Sequence, residues 1–183
     1  MKVGIITNLI NSDDFLKNHY ETADAEEILK STGGNTGNVA FVHAVQKIIG
    51  GKQGVVHWGD DPEIVNSYYD KLVICCANQL GVHTDLNIWA QKLLQFNLPV
   101  MIIGIGAQAD KIGDIPKLPE GTLNFLDAVN TLRSNPEVSN IITRGNFTSL
   151  VLKNYGYESL PFGCPSLLTS SEVKLGFKCL TRQ

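Results

Sequence analysis

The chain is short of charge. Only 18% of its 183 residues are Asp, Glu, Lys or Arg, against about 25% in an ordinary soluble domain. The net charge is −3, which excludes the strong basic field that nucleic-acid or anionic-membrane binding requires. Apolar residues make up 43%, too many for an intrinsically disordered chain. The sequence also lacks a long hydrophobic run. Its longest uncharged apolar stretch, Leu98 to Ala107, has ten residues, where a membrane-spanning helix needs about 20. The four cysteines, Cys75, Cys76, Cys164 and Cys179, show no C-x-x-C spacing. That argues against a zinc site or a disulfide framework and for reduced thiols in the cytoplasm. No paired carboxylates, metal-ligand cluster, Ser-His-Asp order, internal repeat or low-complexity linker is visible.

What is present is an alternation of short apolar runs and helical periods. Met1 to Asn8 reads as a first strand and not as a signal peptide, because Asn8 and Asn11 break the apolar run. The polar segment from Asn11 to Lys30 reads as an irregular excursion, with a short helix around Ala23 to Leu29. Gly37 to Ile49 is a well-buried helix closed by Gly50-Gly51. Val55 to Trp58 follows as a strand, and Asp61-Pro62 as an N-cap with proline in the first turn. Leu72 to Cys76 and Val100 to Ile103 are continuous apolar runs, as strands buried on both faces are. Between them Leu86, Trp89, Leu93 and Phe96 recur at helical spacing behind Asp85, and Asn97 and Pro99 end that helix. Leu123, Leu126, Val129 and Leu132 mark another helix. Ile141 to Thr143 predicts a strand, Asn146 to Tyr155 a helix closed by Gly156, and Leu160 to Gly163 a last strand. The order predicts an α/β domain over residues 1–168 with an open, doubly wound, largely parallel, Rossmann-like sheet. Residues 169–183 read as a tail or a truncated interdomain linker.

In such sheets ligands bind beyond the carboxyl ends of the strands. Gly33 to Asn38 precedes the buried helix. Gly34 and Gly37 permit positive φ, Asn35 or Thr36 can cap the helix, and the helix N-terminus offers N–H groups to an anion. The same residues also suit a plain strand-to-helix turn. Gly104-Ile105-Gly106-Ala107-Gln108-Ala109 matches G-x-G-x-x-A formally. It follows a late strand, a Gly- and Pro-containing loop follows where a helix should start, and no acidic residue ends the next strand, so dinucleotide binding is disfavoured. Gln108 remains a polar group at a strand end, suited to a ligand or to its own loop. Arg144 lies where a strand ends and a helix begins, the best-placed basic residue for an anionic substrate. Its plainer alternative is a surface pair with a nearby acid. His83 is a candidate proton carrier by position, or an exposed loop histidine. His57, Trp58 and Asp60 also follow a strand. His43, on the buried helix, reads as structural, and His19 lies in the irregular segment. Cys164, in Gly163-Cys164-Pro165-Ser166, has no histidine near in sequence and reads as inert.

Taken together, several motifs resemble those of the polysaccharide pyruvyl transferase family. Gly34-Asn35-Thr36-Gly37-Asn38 is similar to that family's G-N-x-G-[DN] start. Pro99 to Gln108 resembles its strand-plus-Gln segment. Ile142-Thr143-Arg144-Gly145, followed by Thr148, Ser149 and Leu150, resembles its strand–Arg–helix motif. Gly163-Cys164-Pro165-Ser166 resembles its G-x-P element before the interdomain linker. The match covers Leu29 to Leu168. It implies one Rossmann-like half of a GT-B-type enzyme that moves the pyruvyl group of phosphoenolpyruvate onto a saccharide and releases phosphate, without a cofactor. Arg144 would neutralise the donor's phosphate or carboxylate, the Gly34–Asn38 loop and Gln108 would line the cleft, and His83 is a candidate for the general acid. A second Rossmann-like half, or another copy of the chain, is the expected partner. A non-catalytic binding or remnant domain and a nucleotide-sugar glycosyltransferase half are the competing readings.

Overall fold

A computed structural model describes residues 1–7, 24–32 and 34–169. Much of the Asn11–Lys30 excursion, His19, Gly33, Cys179 and the 170–183 tail lie outside the described residues. In chain order the elements are β1 (Lys2–Ile6), α1 (Ala25–Ser31), α2 (Gly37–Ile49), β2 (Lys52–Val56), α3 (Pro62–Tyr68), β3 (Lys71–Cys75) and β4 (Asn78–Leu80). Then follow α4 (Asn87–Phe96), β5 (Val100–Ala107), α5 (Glu120–Thr131), β6 (Ile141–Thr143), α6 (Asn146–Asn154), β7 (Leu160–Pro161) and a 3-10 turn, Pro165–Leu168.

Local chemistry sets most of these boundaries. Asp24 and Glu27 close a capping box at the start of α1. The Asp61 side chain accepts the Glu63 N–H in front of Pro62 and so starts α3. Asp85 accepts the Asn87 N–H at 2.9 Å, so the expected acid does hold the start of α4, one residue outside the helix-cap position. Asn97 in the left-handed region ends α4, and Gly156 at φ +86° follows α6.

Among the described residues all seven strands pair in parallel, in the order β2-β1-β3-β5-β6-β7, with β4 added beside the far end of β5. This is an open, Rossmann-like α/β sheet flanked, among the described residues, by six helices. Alternation along the strands builds two cores. Ile6, Leu72, Ile74, Ile102 and Ile105 face one side, with Val65 of α3, Leu93 and Phe96 of α4, Phe125 and Leu126 of α5, and Val151 and Leu152 of α6. Val3, Ile5, Val73, Cys75 and Ile103 face the other side, against Phe41, Val42 and Val45 of α2, with Cys164 at the margin.

Some expected elements differ. The strand expected at Val55–Trp58 runs from Lys52 to Val56. β2 is an edge strand, so it tolerates Lys52 and Gln53, and Trp58 leaves the sheet to stack on Trp89 (centroids 4.8 Å apart, 9° between planes). β5 continues past Ile103 to Ala107, because Gly104 takes φ +79° and the register against β6 shifts there without ending the strand. β7 is only Leu160–Pro161, and neither β4 nor the 3-10 turn was expected.

Candidate functional site

From β1 the chain moves outward to β2 and then crosses back to β3, so the strand order reverses between β1 and β3. Ligands of open α/β sheets bind at such a switch point, beyond the strand ends. A cleft of about 330 Å³ lies there. Thr7 enters it directly after β1, Asn35 and Asn38 at the start of α2, Cys75 at the end of β3, Cys76 to Gln79 from there into β4, and Arg144 after β6.

The α2 entry is shaped by Asn35. Its Oδ1 accepts the Gly37 N–H at 2.9 Å, and its carbonyl accepts the Asn38 N–H at 3.0 Å. The Val39 N–H goes to the Thr36 carbonyl at 3.1 Å, so Thr36 caps with its backbone and makes no side-chain cap bond. The first N–H groups of α2 are therefore already taken. This corrects the expectation that the helix end offers them to an anion. Gly34 sits at φ +78°, where a side chain is strained. Gly34, Thr36 and Gly37 set the backbone, while Asn35 and Asn38 face the cleft. Asn38 also donates its Nδ2 to the Thr32 carbonyl at 3.0 Å, which ties the loop to the end of α1.

Arg144 is held by the β6–α6 turn. Its N–H donates to the Ile105 carbonyl at 2.9 Å. The Thr143 and Ser149 hydroxyls bond each other at 2.8 Å, and the buried Thr148 hydroxyl accepts the Ala107 N–H at 3.0 Å. The turn is thus pinned to the end of β5. The guanidinium lies over the Phe41 ring, 5.3 Å from its centroid. Its Nε is buried and has no hydrogen-bond partner among the described residues. Among the described residues no carboxylate pairs with Arg144, so the expected alternative of a surface ion pair does not hold.

Arg144 is the one charged side chain in the cleft lining among the described residues. Burial pushes the Cys75 thiol up to about 12 and raises Cys76 as well, the latter against a small opposing pull from Arg144. Both thiols are neutral at physiological pH. The lining is therefore one cation, four side-chain amides (Asn35, Asn38, Asn78 and Gln79), one hydroxyl and an aromatic face. Such a set suits a small oxyanion that carries further polar groups.

Two expected residues lie elsewhere. His83 is exposed, outside the cleft lining, and its Nε2 bonds the Asn78 carbonyl at 2.9 Å. A carbonyl only accepts, so that nitrogen carries the proton. Gln108 is also exposed and outside the lining, and its backbone N–H donates to the Leu80 carbonyl at 2.8 Å. The structure does not bring these two side chains to Arg144. Asp60 accepts the His57 N–H at 2.8 Å and serves its own turn. The Cys164 thiol bonds the Ser166 hydroxyl at 3.0 Å, at the edge of the smaller core. The G-x-G at Gly104 and Gly106 lies inside β5 with no helix after it until Glu120, as its poor sequence context implied.

Sequence reasoning missed Thr7, Phe41, Asn78 and Gln79. Thr7 and Asn78-Gln79 do carry a signal, since each polar group directly follows an apolar strand at the switch point. Phe41 has none, because it reads as one more apolar position of α2. In comparisons with known proteins, no family model, no curated protein and no solved structure matches this chain.

Proposed function

We propose that this domain binds a small phosphate- or carboxylate-bearing substrate in the switch-point cleft. We further propose that it acts as the donor-binding half of a pyruvyltransferase-like enzyme. The observation that carries the first step is Arg144, a guanidinium at the cleft wall with no protein counter-ion among the described residues. A cation kept unpaired beside four amides is arranged for an anion that arrives from solvent. The identity of that anion as phosphoenolpyruvate rests on the motif order around Gly34–Asn38, Arg144 and Gly163–Ser166.

In the reaction so read, C3 of phosphoenolpyruvate takes a proton and a saccharide hydroxyl adds to C2. A second hydroxyl then displaces phosphate to close the ketal. Arg144 neutralises the donor's carboxylate or phosphate, and the amides orient it. None of the described cleft residues supplies an acid of suitable pKa, which fits a partner half or copy that completes the site. The same feature favours one competing reading, a binding domain without catalysis of its own.

Calorimetric titration with phosphoenolpyruvate tests the proposal. The wild-type chain binds it, and Arg144→Ala weakens binding about tenfold to hundredfold, the worth of a charge-assisted hydrogen bond. Equal affinity in both proteins removes Arg144 from the role. Phosphate release with a saccharide acceptor then separates the enzyme from the binding domain. Thermal stabilisation by a nucleotide-sugar, and not by phosphoenolpyruvate, would point to the glycosyltransferase reading instead.

A further inference from the structure

The two glycines of the G-x-G in β5 have a use that involves no nucleotide. A Cβ built on Gly104 would run into the Phe41 ring and lie 3.2 Å from the Pro165 ring. The aromatic ring of Phe41 thus occupies space that any other residue at position 104 would fill. A Cβ on Gly106 would lie 2.5 Å from the Asn78 Oδ1 and 3.4 Å from the Arg144 Cδ. The missing side chains of one strand thereby admit the Phe41 ring and the Asn78 carboxamide, and the stem of Arg144 lies within van der Waals reach of Gly106.

We infer that Gly104, Gly106 and Phe41 form a seat that holds the Arg144 guanidinium over the Phe41 ring and unpaired, ready for an incoming oxyanion, with Phe41 as a positioning residue. This rests on the reading of the cleft as an anion site. Three facts meet here. The guanidinium carbon lies over the Phe41 ring, 5.3 Å from its centroid and within cation–π range. Phe41 is itself fixed, 5% exposed in the smaller core. Among the described residues the Nε is buried without an acceptor, so packing against them, and not a hydrogen bond to them, keeps the side chain in place. A guanidinium held against the ring presents its remaining N–H donors in a set direction and loses little freedom when the anion binds. A lysine at position 144 would reach the cleft without this alignment.

The test has two arms on the full chain. The first needs no ligand. Protons above an aromatic face resonate upfield, so the Arg144 δ-methylene and Nε–H signals of the wild-type protein should be displaced upfield in NMR spectra. The displacement should vanish in Phe41→Leu and persist in Phe41→Tyr. Undisplaced Arg144 signals in the wild type overturn the seat whether or not the variants fold. The second arm is calorimetry at fixed ionic strength with inorganic phosphate and with phosphoenolpyruvate. Phe41→Leu should weaken both roughly threefold to thirtyfold, the range a cation–π contact supports. Phe41→Tyr should restore affinity, and Phe41→Leu should have no further effect in Arg144→Ala. An unchanged affinity in Phe41→Leu, or the same loss without the arginine, overturns the positioning role. Failure of the wild type to bind either anion overturns the anion site itself, and the NMR arm still decides the seat.

Discussion

Cys75 and Cys76 are adjacent in sequence and opposite in the fold. Cys75 belongs to the α2-side core and Cys76 to the larger one. Burial raises both thiol pKa values, from an ordinary value near 9 to about 12 for Cys75 and in the same direction for Cys76. A raised folded pKa means that the native state holds its proton where the unfolded chain has lost it. The contribution to stability is therefore whole below about pH 9 and is lost as pH rises toward the folded value. Each thiol should cost about 1.4 kcal/mol per pH unit in that window. Urea unfolding between pH 8 and 10 should show the onset of this loss in the wild type, about 1.4 kcal/mol per thiol over the whole interval, and a smaller loss in Cys76→Ala. The interval stops where the tyrosines begin to add their own effect of the same sign, since burial raises Tyr69 and Tyr157 too. An identical slope in the variant would remove the thiol from the account.

The β6–α6 turn joins fold to site. Thr148, at the start of α6, accepts the N–H of Ala107, the last residue of β5. Thr148→Val keeps the shape and removes the acceptor, which orphans a half-buried N–H. The expected cost is about 1–3 kcal/mol in chemical denaturation, with anion affinity reduced because Arg144 sits on the freed turn. Thr148→Ser should retain most of both, and a wild-type midpoint in the valine variant would show the bond to be dispensable. At this scale the sequence was readable wherever a signal is local. Asp61-Pro62, Gly50 and Gly156 mark helix ends through their own backbone chemistry, and each stands where expected. β4 was not readable, because Asn78 to Leu80 forms a strand only by pairing with the far end of β5. The loop from Asp110 to Pro119 is held by Tyr155, whose hydroxyl donates to the Pro116 carbonyl and accepts the Leu118 N–H. No local pattern announces such a contact. The site divides in the same way. Asn35 and Asn38 were visible because they open a buried helix beside glycines, and Arg144 because it directly follows a strand. The places of Phe41 and Asn78 depend on Cβ atoms that Gly104 and Gly106 lack, far away along the chain.

Across the whole molecule the sheet is loaded unevenly. Helices α3 to α6 pack on one face, whereas α2 and the 3-10 turn cover the other. The two cores are nevertheless parts of one object, since neighbouring residues on β1 and β3 alternate between them, Ile5 with Ile6 and Val73 with Ile74. A strand cannot lose its packing on one face and keep its place on the other. Unfolding should therefore be a single transition seen alike from both sides. The tryptophans make this measurable, because Trp58 and Trp89 are the chain's only two and both pack against the larger core. Val45→Ala, at a fully buried position of the smaller core, removes two methyl groups and should cost about 1.5–3 kcal/mol. It should move the urea midpoint of tryptophan fluorescence and of far-ultraviolet circular dichroism by the same amount, with the slope unchanged. If the circular dichroism midpoint falls while the fluorescence midpoint stays, the α2 face unfolds on its own. The cleft, whose walls come from α2 and from the strand ends together, would then open before the rest of the sheet.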